Sequence, residues 1–344
     1  MLFDFEPENN FSKQLGIFGL PYTYENAQLI LIPVPWDVTT SYRDGSSLAP
    51  LAIKNASYQL DLFDLNWGNA WEKGIFMKEL NEEISDVNAI ERRKAKNIID
   101  FFENEGNELP ERLRKIQAEV NEACDTMNGF VFNQVKNVFN DGKIPALIGG
   151  EHSISLAAIR FFTHEYSQFA VLQIDAHADL RKAYMGFIYS HASVMRNVVE
   201  NSPMLKLVQV GVRDFCEEEY YFIQENHQNI TTFFMRNLRF EQMKGKTWDK
   251  QVDDIINELP EHVYISFDID GLDASFCPHT GAPVPGGLTF DEVSYLFTKL
   301  VKAGKKIVGF DLVESGVDEE NEYDQIISSR LLYQLSLATL VSQS

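Results

Sequence analysis

Cysteine is scarce in this chain: Cys124, Cys216 and Cys277 are all it has, far apart and odd in number. That argues against a disulfide framework and a cysteine-based zinc site, and it fits a reducing compartment, so a cytoplasmic location is expected. Basic residues are also short, with 30 Lys and Arg against 51 Asp and Glu and a formal net charge of −21. Such a surface repels phosphate backbones and anionic lipid headgroups, so neither nucleic acid nor membrane is expected as a partner. It suits a solvated acidic exterior and leaves open the concentration of a small cation. No stretch approaches the roughly 18 uninterrupted apolar residues of a membrane span. The opening residues, "MLFDFEPENN", lack a basic segment followed by an apolar one, so no secretory leader is expected. A Pro/Gly/Ser-rich linker and internal repeats are missing too, and the expectation is one domain over 1–344.

What the chain does have is a set of short apolar, β-branched runs with helical stretches between them: "LILIPVP" (29–35), "IPALIGG" (144–150), "FAVLQIDAH" (169–177), "LKLVQVGVR" (205–213), "HVYISFDID" (262–270) and "KIVGFDLVE" (306–314). Continuous apolar runs alternating with helices predict an α/β fold around a mainly parallel sheet covered on both faces. The region 81–143 differs. It is rich in Glu, Lys, Arg and Asn with apolar residues at helical spacing, and predicts two or three amphipathic helices lying over the sheet, with a cap or oligomer surface left open.

Ligand sites in parallel sheets form where strands end, and here the ends are polar. The run 169–177 leads into Asp175, His177 and Asp179 at alternate positions, which extended geometry would send to one side. The run 262–270 ends in Asp268 and Asp270, and Gly149-Gly150 leads into Glu151 and His152. Either carboxylate group alone also fits ordinary turn and cap roles. Together they would repel and suffer desolvation unless cations compensate. Carboxylates and imidazoles without thiolate suit an ion such as Mn²⁺, and six candidate ligands suit two ions.

The motifs "GGEHS" (149–153), "DAHADLR" (175–181), "SHASVMR" (190–196), "SFDIDGLDASFCPHTGAPVPGGLT" (266–289) and "GFDLVE" (309–314), with "PVPWDVTTSYRDGSSLAPLAIKNAS" (33–57), resemble the ureohydrolases, which include arginases and agmatinases. The resemblance covers nearly the whole chain except about 60–143. It implies a three-layer α/β/α fold with the metal site at the C-terminal strand ends, two Mn²⁺ per chain with Ni²⁺ left open, and a homo-oligomer. It assigns His152, Asp175, Asp179 and Asp268 to one ion and His177, Asp175, Asp268 and Asp270 to the other, with Asp175 and Asp268 bridging. It further implies that His191 shuttles a proton and that Asp179 contacts the attacking hydroxide. Glu314 would bind a guanidinium, supported by Thr280.

The implied reaction hydrolyses a cationic guanidino compound to urea and an amine, with agmatine to putrescine as first expectation. Arg181 stands where arginases carry an Asn that reads the amino-acid end of arginine, and Cys216 where they carry an acid, which points away from arginine. His191 points away from formiminoglutamases. Guanidinobutyrate and guanidine stay open, and Trp67, Trp71 or Phe76 are expected to alter the pocket. A zinc deacetylase would need an adjacent histidine pair, which the sequence lacks; a non-catalytic metal-binding regulator is the remaining alternative. His164, His227, His262 and His279 are expected to be structural or exposed.

Overall fold

The structure is a computed structural model and describes residues 15–106, 108–202, 205–318 and 320–344; the "MLFDFEPENN" segment lies outside the described residues. Among the described residues eight strands form its centre: β1 (Leu29–Val34), β2 (Ile75–Met77), β3 (Ile144–Gly149), β4 (Phe169–Ile174), β5 (Lys206–Val210), β6 (Ile230–Phe233), β7 (His262–Asp268) and β8 (Lys306–Val313). They make one wholly parallel sheet in the order β2-β1-β3-β8-β7-β4-β5-β6. Every residue of β1 and β4 is buried, as expected of strands covered on both faces.

Among the described residues ten helices surround the sheet: α1 (Ala49–Ala56), α2 (Glu82–Asn104), α3 (Glu111–Asn140), α4 (Ser155–Glu165), α5 (Val194–Asn201), α6 (Glu217–Glu225), α7 (Met235–Met243), α8 (Trp248–Asn257), α9 (Phe290–Lys302) and α10 (Tyr323–Ser342). Two rows pack in series, α2-α3-α4-α5 and α1-α10-α9-α8, which gives the three-layer α/β/α arrangement. The 81–143 region supplies α2 and α3. Asn81 caps α2 by accepting a hydrogen bond from the Ile84 amide, and α3 buries a stripe of Leu113, Val120, Cys124, Met127, Val131, Val135 and Val138. Among the described residues no helix is long and apolar enough to cross a membrane.

The sequence runs anticipate six strands and miss β2 and β6. Both are sheet edges, β2 only three residues long and β6 mostly half-buried, so neither carries a long continuous apolar run. The topology decides where chemistry can sit. From β3 the chain passes through α4 to β4 and leaves two positions between them, which β7 and β8 later fill. The C-terminal ends of β3, β8, β7 and β4 therefore lie side by side, at a crevice of the kind where open α/β sheets bind ligands.

Candidate metal centre and cavity

Those four strand ends surround a cavity of about 290 Å³. At the end of β3, Gly150 passes so close to Trp36 that a Cβ there would lie 1.8 Å from the Trp36 carbonyl. The tight passage lets the Glu151 amide donate to that carbonyl at 2.7 Å and delivers His152 to the cavity floor.

The end of β4 departs from the sequence expectation. The strand stops at Ile174, and Asp179 has a left-handed φ of 55°, so Asp175, His177 and Asp179 do not share one face of an extended strand. The intervening Ala176 and Ala178 are as buried as the acids. Contacts bend the segment: the Ala176 amide donates to Asp270 Oδ1 at 3.0 Å. The Asp179 carbonyl accepts from the Met195 and Arg196 amides, both at 3.1 Å. The acids converge through this bend. Likewise β7 ends at Asp268, and a 3-10 turn over Ile269–Gly271 carries Asp270, whose amide donates to Asp268 Oδ1 at 2.9 Å.

The six residues expected to hold metal lie together. Nδ1 of His152 is 2.8 Å from Asp179 Oδ2, 3.1 Å from Asp175 Oδ2 and 3.6 Å from Asp268 Oδ2. Nδ1 of His177 is 3.1 Å from Asp270 Oδ2 and 3.6 Å from Asp175 Oδ1. His152, Asp175 and Asp179 form one group, and Asp175, His177 and Asp270 another, each with ligating atoms within 4.8 Å of one another. Asp175 belongs to both; Asp268 stands beside the first.

Whether this set suits a cation is decided by His152. Its Nε2 lies 2.8 Å from Ser266 Oγ, and that hydroxyl donates its one proton to Asp311 at 3.0 Å. We therefore assign the Nε2 proton to the Ser266 contact, which leaves Nδ1 with a bare lone pair. Nδ1 is buried 2.8 Å from Asp179 Oδ2 and 3.1 Å from Asp175 Oδ2, contacts that repel unless a proton or a metal cation sits between. The set fits a divalent ion with oxygen and imidazole ligands.

A row of polar side chains underlies it. Thr232 Oγ1 donates to Gln209 Oε1 at 2.8 Å, Gln209 Nε2 to Gln173 Oε1 at 2.7 Å, and Gln173 Nε2 to Asp175 Oδ2 at 2.8 Å. These residues are register partners across β6, β5 and β4. A polar residue inside an apolar strand, as in "VLQIDAH", was the sequence signal for this relay.

Without a cation the charges balance through protons. Burial, then neighbouring carboxylates, raise Asp268 well above the ordinary carboxylate range and Asp179 to about 7. Burial opposes charge on His152 and His177, but the adjoining acids outweigh it and raise both well above the ordinary histidine value. Burial, then the positive charges beside it, hold His191 well below that value.

His191 lines the same cavity. Its Nδ1 is 3.3 Å from Thr39 Oγ1 and 3.3 Å from Ser190 Oγ, which leaves Nε2 for the cavity. Behind Thr39 lies Glu151, which the sequence reading assigned no role. Glu151 is fully buried and accepts from the Thr39 amide at 3.0 Å and from the hydroxyls of Thr39, Thr40 and Ser153 at 2.9, 3.2 and 2.8 Å.

Glu314 has a left-handed φ of 58°, a strained backbone of the kind found at functional sites. One carboxylate oxygen accepts from the His152 amide at 2.9 Å, and the residue lines the cavity. Thr280 Oγ1 donates to the Glu314 carbonyl, not its carboxylate, at 2.8 Å. Arg181 is also in the lining, with its guanidinium 5.1 Å above the Tyr184 ring and 3.9 Å from Glu219. Glu219 and Tyr184 are further residues the sequence reading missed; Glu219 accepts from the Leu180 and Cys216 amides at 3.0 and 2.8 Å and so fixes the loop.

Trp67, Trp71 and Phe76 do not reach the cavity, a correction to the expectation. Trp67 donates to Gln334 of α10 at 3.1 Å, Trp71 is buried in the core, and Phe76 lies on the edge strand β2 against Tyr24. The other histidines lie elsewhere: His164 and His227 are exposed, His262 stacks on Tyr166 and His279 bonds Asp324 at 2.8 Å.

The Arginase family model matches residues 27–337. The N(1)-aminopropylagmatine ureohydrolase of Synechocystis sp. is 30% identical over 316 residues, covering 91% of this chain and 89% of that protein. The agmatinase of Bacillus subtilis is 26% identical over 316 residues, covering 91% and 92%. Among solved structures, the agmatine ureohydrolase of Thermoplasma volcanium superposes with a TM-score of 0.67 at 26% identity, covering 94% of this chain and 92% of that one. With the family model spanning β1 to α10, this chain belongs to the arginase family.

Proposed function

We propose that the chain hydrolyses a guanidino compound to urea and an amine, with two divalent cations, Mn²⁺ in first place, held by His152, Asp175, Asp179, Asp268, His177 and Asp270. The observation that carries this reading is the sharing of Asp175, whose Oδ2 faces His152 and whose Oδ1 faces His177. Bound ions would supply Lewis acidity and activate a water near neutral pH.

The chain's own groups do the rest. Glu314 offers its second oxygen to the substrate's guanidinium, and Gly281 leaves that oxygen room, since a Cβ there would lie 3.3 Å away. Asp179 accepts a proton from the attacking water. A C–O bond forms at the guanidinium carbon, the C–N bond to the amine breaks, and the leaving nitrogen takes the proton that Asp179 accepted from the water, passed to it through Nε2 of His191. Because His191 is held neutral, it carries that proton only in passage.

For the substrate's tail, agmatine is the first reading. Asp214 at the cavity mouth offers a carboxylate to a distal ammonium, and relatives named for agmatine and its aminopropyl derivative support a cationic tail. Arg181 favours a second reading, an anionic tail as in guanidinobutyrate. A urea-release screen over agmatine, aminopropylagmatine, guanidinobutyrate, arginine and guanidine, each with Mn²⁺ and Ni²⁺, tests both. Turnover of agmatine or its aminopropyl derivative supports the first, a preference for guanidino acids the second, and no urea from any substrate overturns the reaction.

A further inference from the structure

Helices α2 and α3 put no side chain into the cavity lining, yet they bond to both segments that form its rim. On one side, Tyr184 and Phe187 exchange backbone hydrogen bonds at 3.1 and 2.9 Å around Met185 and Gly186, which have φ of 50° and 75°. Two consecutive positive φ values make a tight primed-type turn, and Met is a residue that rarely adopts one. The turn rests on α3. Gln117 Nε2 donates to the Met185 carbonyl at 2.8 Å, Asn121 Nδ2 donates to the Gly186 carbonyl at 3.2 Å, and Asn121 Oδ1 accepts from the Ile188 amide at 2.9 Å. The fit is close enough that a Cβ on Gly186 would lie 2.0 Å from Gln117 Nε2. What the turn presents is Tyr184, edge-on to His191 with centroids 5.9 Å apart and beneath Arg181.

On the other side, α2 grips the segment 37–44. Asn88 and Asp37 exchange two hydrogen bonds, at 2.8 and 2.9 Å. Arg92 Nη1 donates to the carbonyls of Val38 and Thr40 at 3.1 and 2.5 Å. Between those carbonyls stands Thr39, which contacts both His191 and Glu151.

We propose that α2 and α3 are a brace that sets the cavity rim and, through it, the ring of His191, with Arg92 and Asn121 as positioning residues. What the rim serves rests on the proposed reaction; the brace itself rests on these hydrogen bonds. Hydrogen bonds to backbone groups of two rim segments, from two successive helices, leave the His191 ring bounded by Thr39 and Tyr184. Loss of either hold lets it drift from the leaving group, and a misplacement of about 1 Å costs up to about a hundredfold in rate.

The test uses the full-length, Mn²⁺-loaded chain and the variants Asn121→Ala, Asn121→Asp and Arg92→Lys, read by amide hydrogen exchange over 184–191, by kcat and KM for urea release, and by bound metal. Asn121→Ala is expected to exchange about tenfold faster at 186–191 and to lose about tenfold or more in kcat, with KM and metal content near wild type. Asn121→Asp keeps the acceptor for the Ile188 amide and should restore protection there. Arg92→Lys is expected to lower kcat about tenfold with KM and bound metal near wild type, because Thr39 loses its fixed place beside His191; an unchanged kcat removes Arg92 from the brace. Wild-type exchange in Asn121→Ala overturns the brace, as does faster exchange with unchanged kcat. If the wild-type chain releases no urea from any guanidino compound, the reaction fails while exchange still decides the brace: acceleration upholds it and wild-type rates overturn it.

Discussion

Nε2 of His152 lies 2.8 Å from the hydroxyl of Ser266, and that contact decides which ring nitrogen faces the carboxylates. Replacing Ser266 with Ala removes the partner that fixes the tautomer. Metal affinity is expected to fall about 10- to 100-fold, with activity recovered at high Mn²⁺. Titration of apo protein with Mn²⁺ measures it; unchanged affinity would remove Ser266 from the account.

The relay beneath Asp175 makes a separate prediction. Gln173→Leu strips the donor from Asp175 Oδ2, and a hydrogen bond to a charged group is worth about 1.5–3 kcal/mol. Mn²⁺ affinity should drop by about tenfold or more, measured by calorimetry. Gln209→Leu leaves Gln173 Oε1 buried without its donor and should instead lower the melting temperature.

Metal uptake should release protons. His152 and His177 are raised above the ordinary histidine value and Asp179 to about 7 in the metal-free chain, so an incoming cation displaces protons from them. The sign follows: affinity strengthens as pH rises through about 7, where Asp179 deprotonates, and keeps strengthening above it as His152 and His177 give up their protons. Calorimetry at pH 6 in two buffers of different ionisation enthalpy should show heats that depend on the buffer. Equal heats would contradict it.

Glu314→Gln keeps an acceptor for the His152 amide but removes the negative charge offered to the substrate. Bound metal should stay at the wild-type level while kcat/KM falls about 10- to 100-fold, in line with a charge-assisted hydrogen bond. Metal analysis beside urea kinetics separates the two effects.

Much of this was legible in the sequence, because continuous apolar strands and polar strand ends are local features. Asp175, His177 and Asp179 stand in one motif, but the geometry that joins them does not follow from alternation. The left-handed turn at Asp179 is held by the start of α5 and the Ala176 amide by Asp270, contacts that exist only once distant segments fold together. The edge strands β2 and β6 were hidden by their partial exposure. Glu151 was hidden in plain view within "GGEHS": its role depends on Thr39, 112 residues away. Trp67, Trp71 and Phe76 failed as pocket residues for the converse reason, since large apolar side chains near an unfamiliar segment are more often core.

The most direct measurement is anomalous scattering at the manganese edge from crystals of the Mn²⁺-loaded chain. Two peaks are expected, one beside His152 and one beside His177, with Asp175 touching both. A single peak, or none among these six residues, would contradict the two-metal centre.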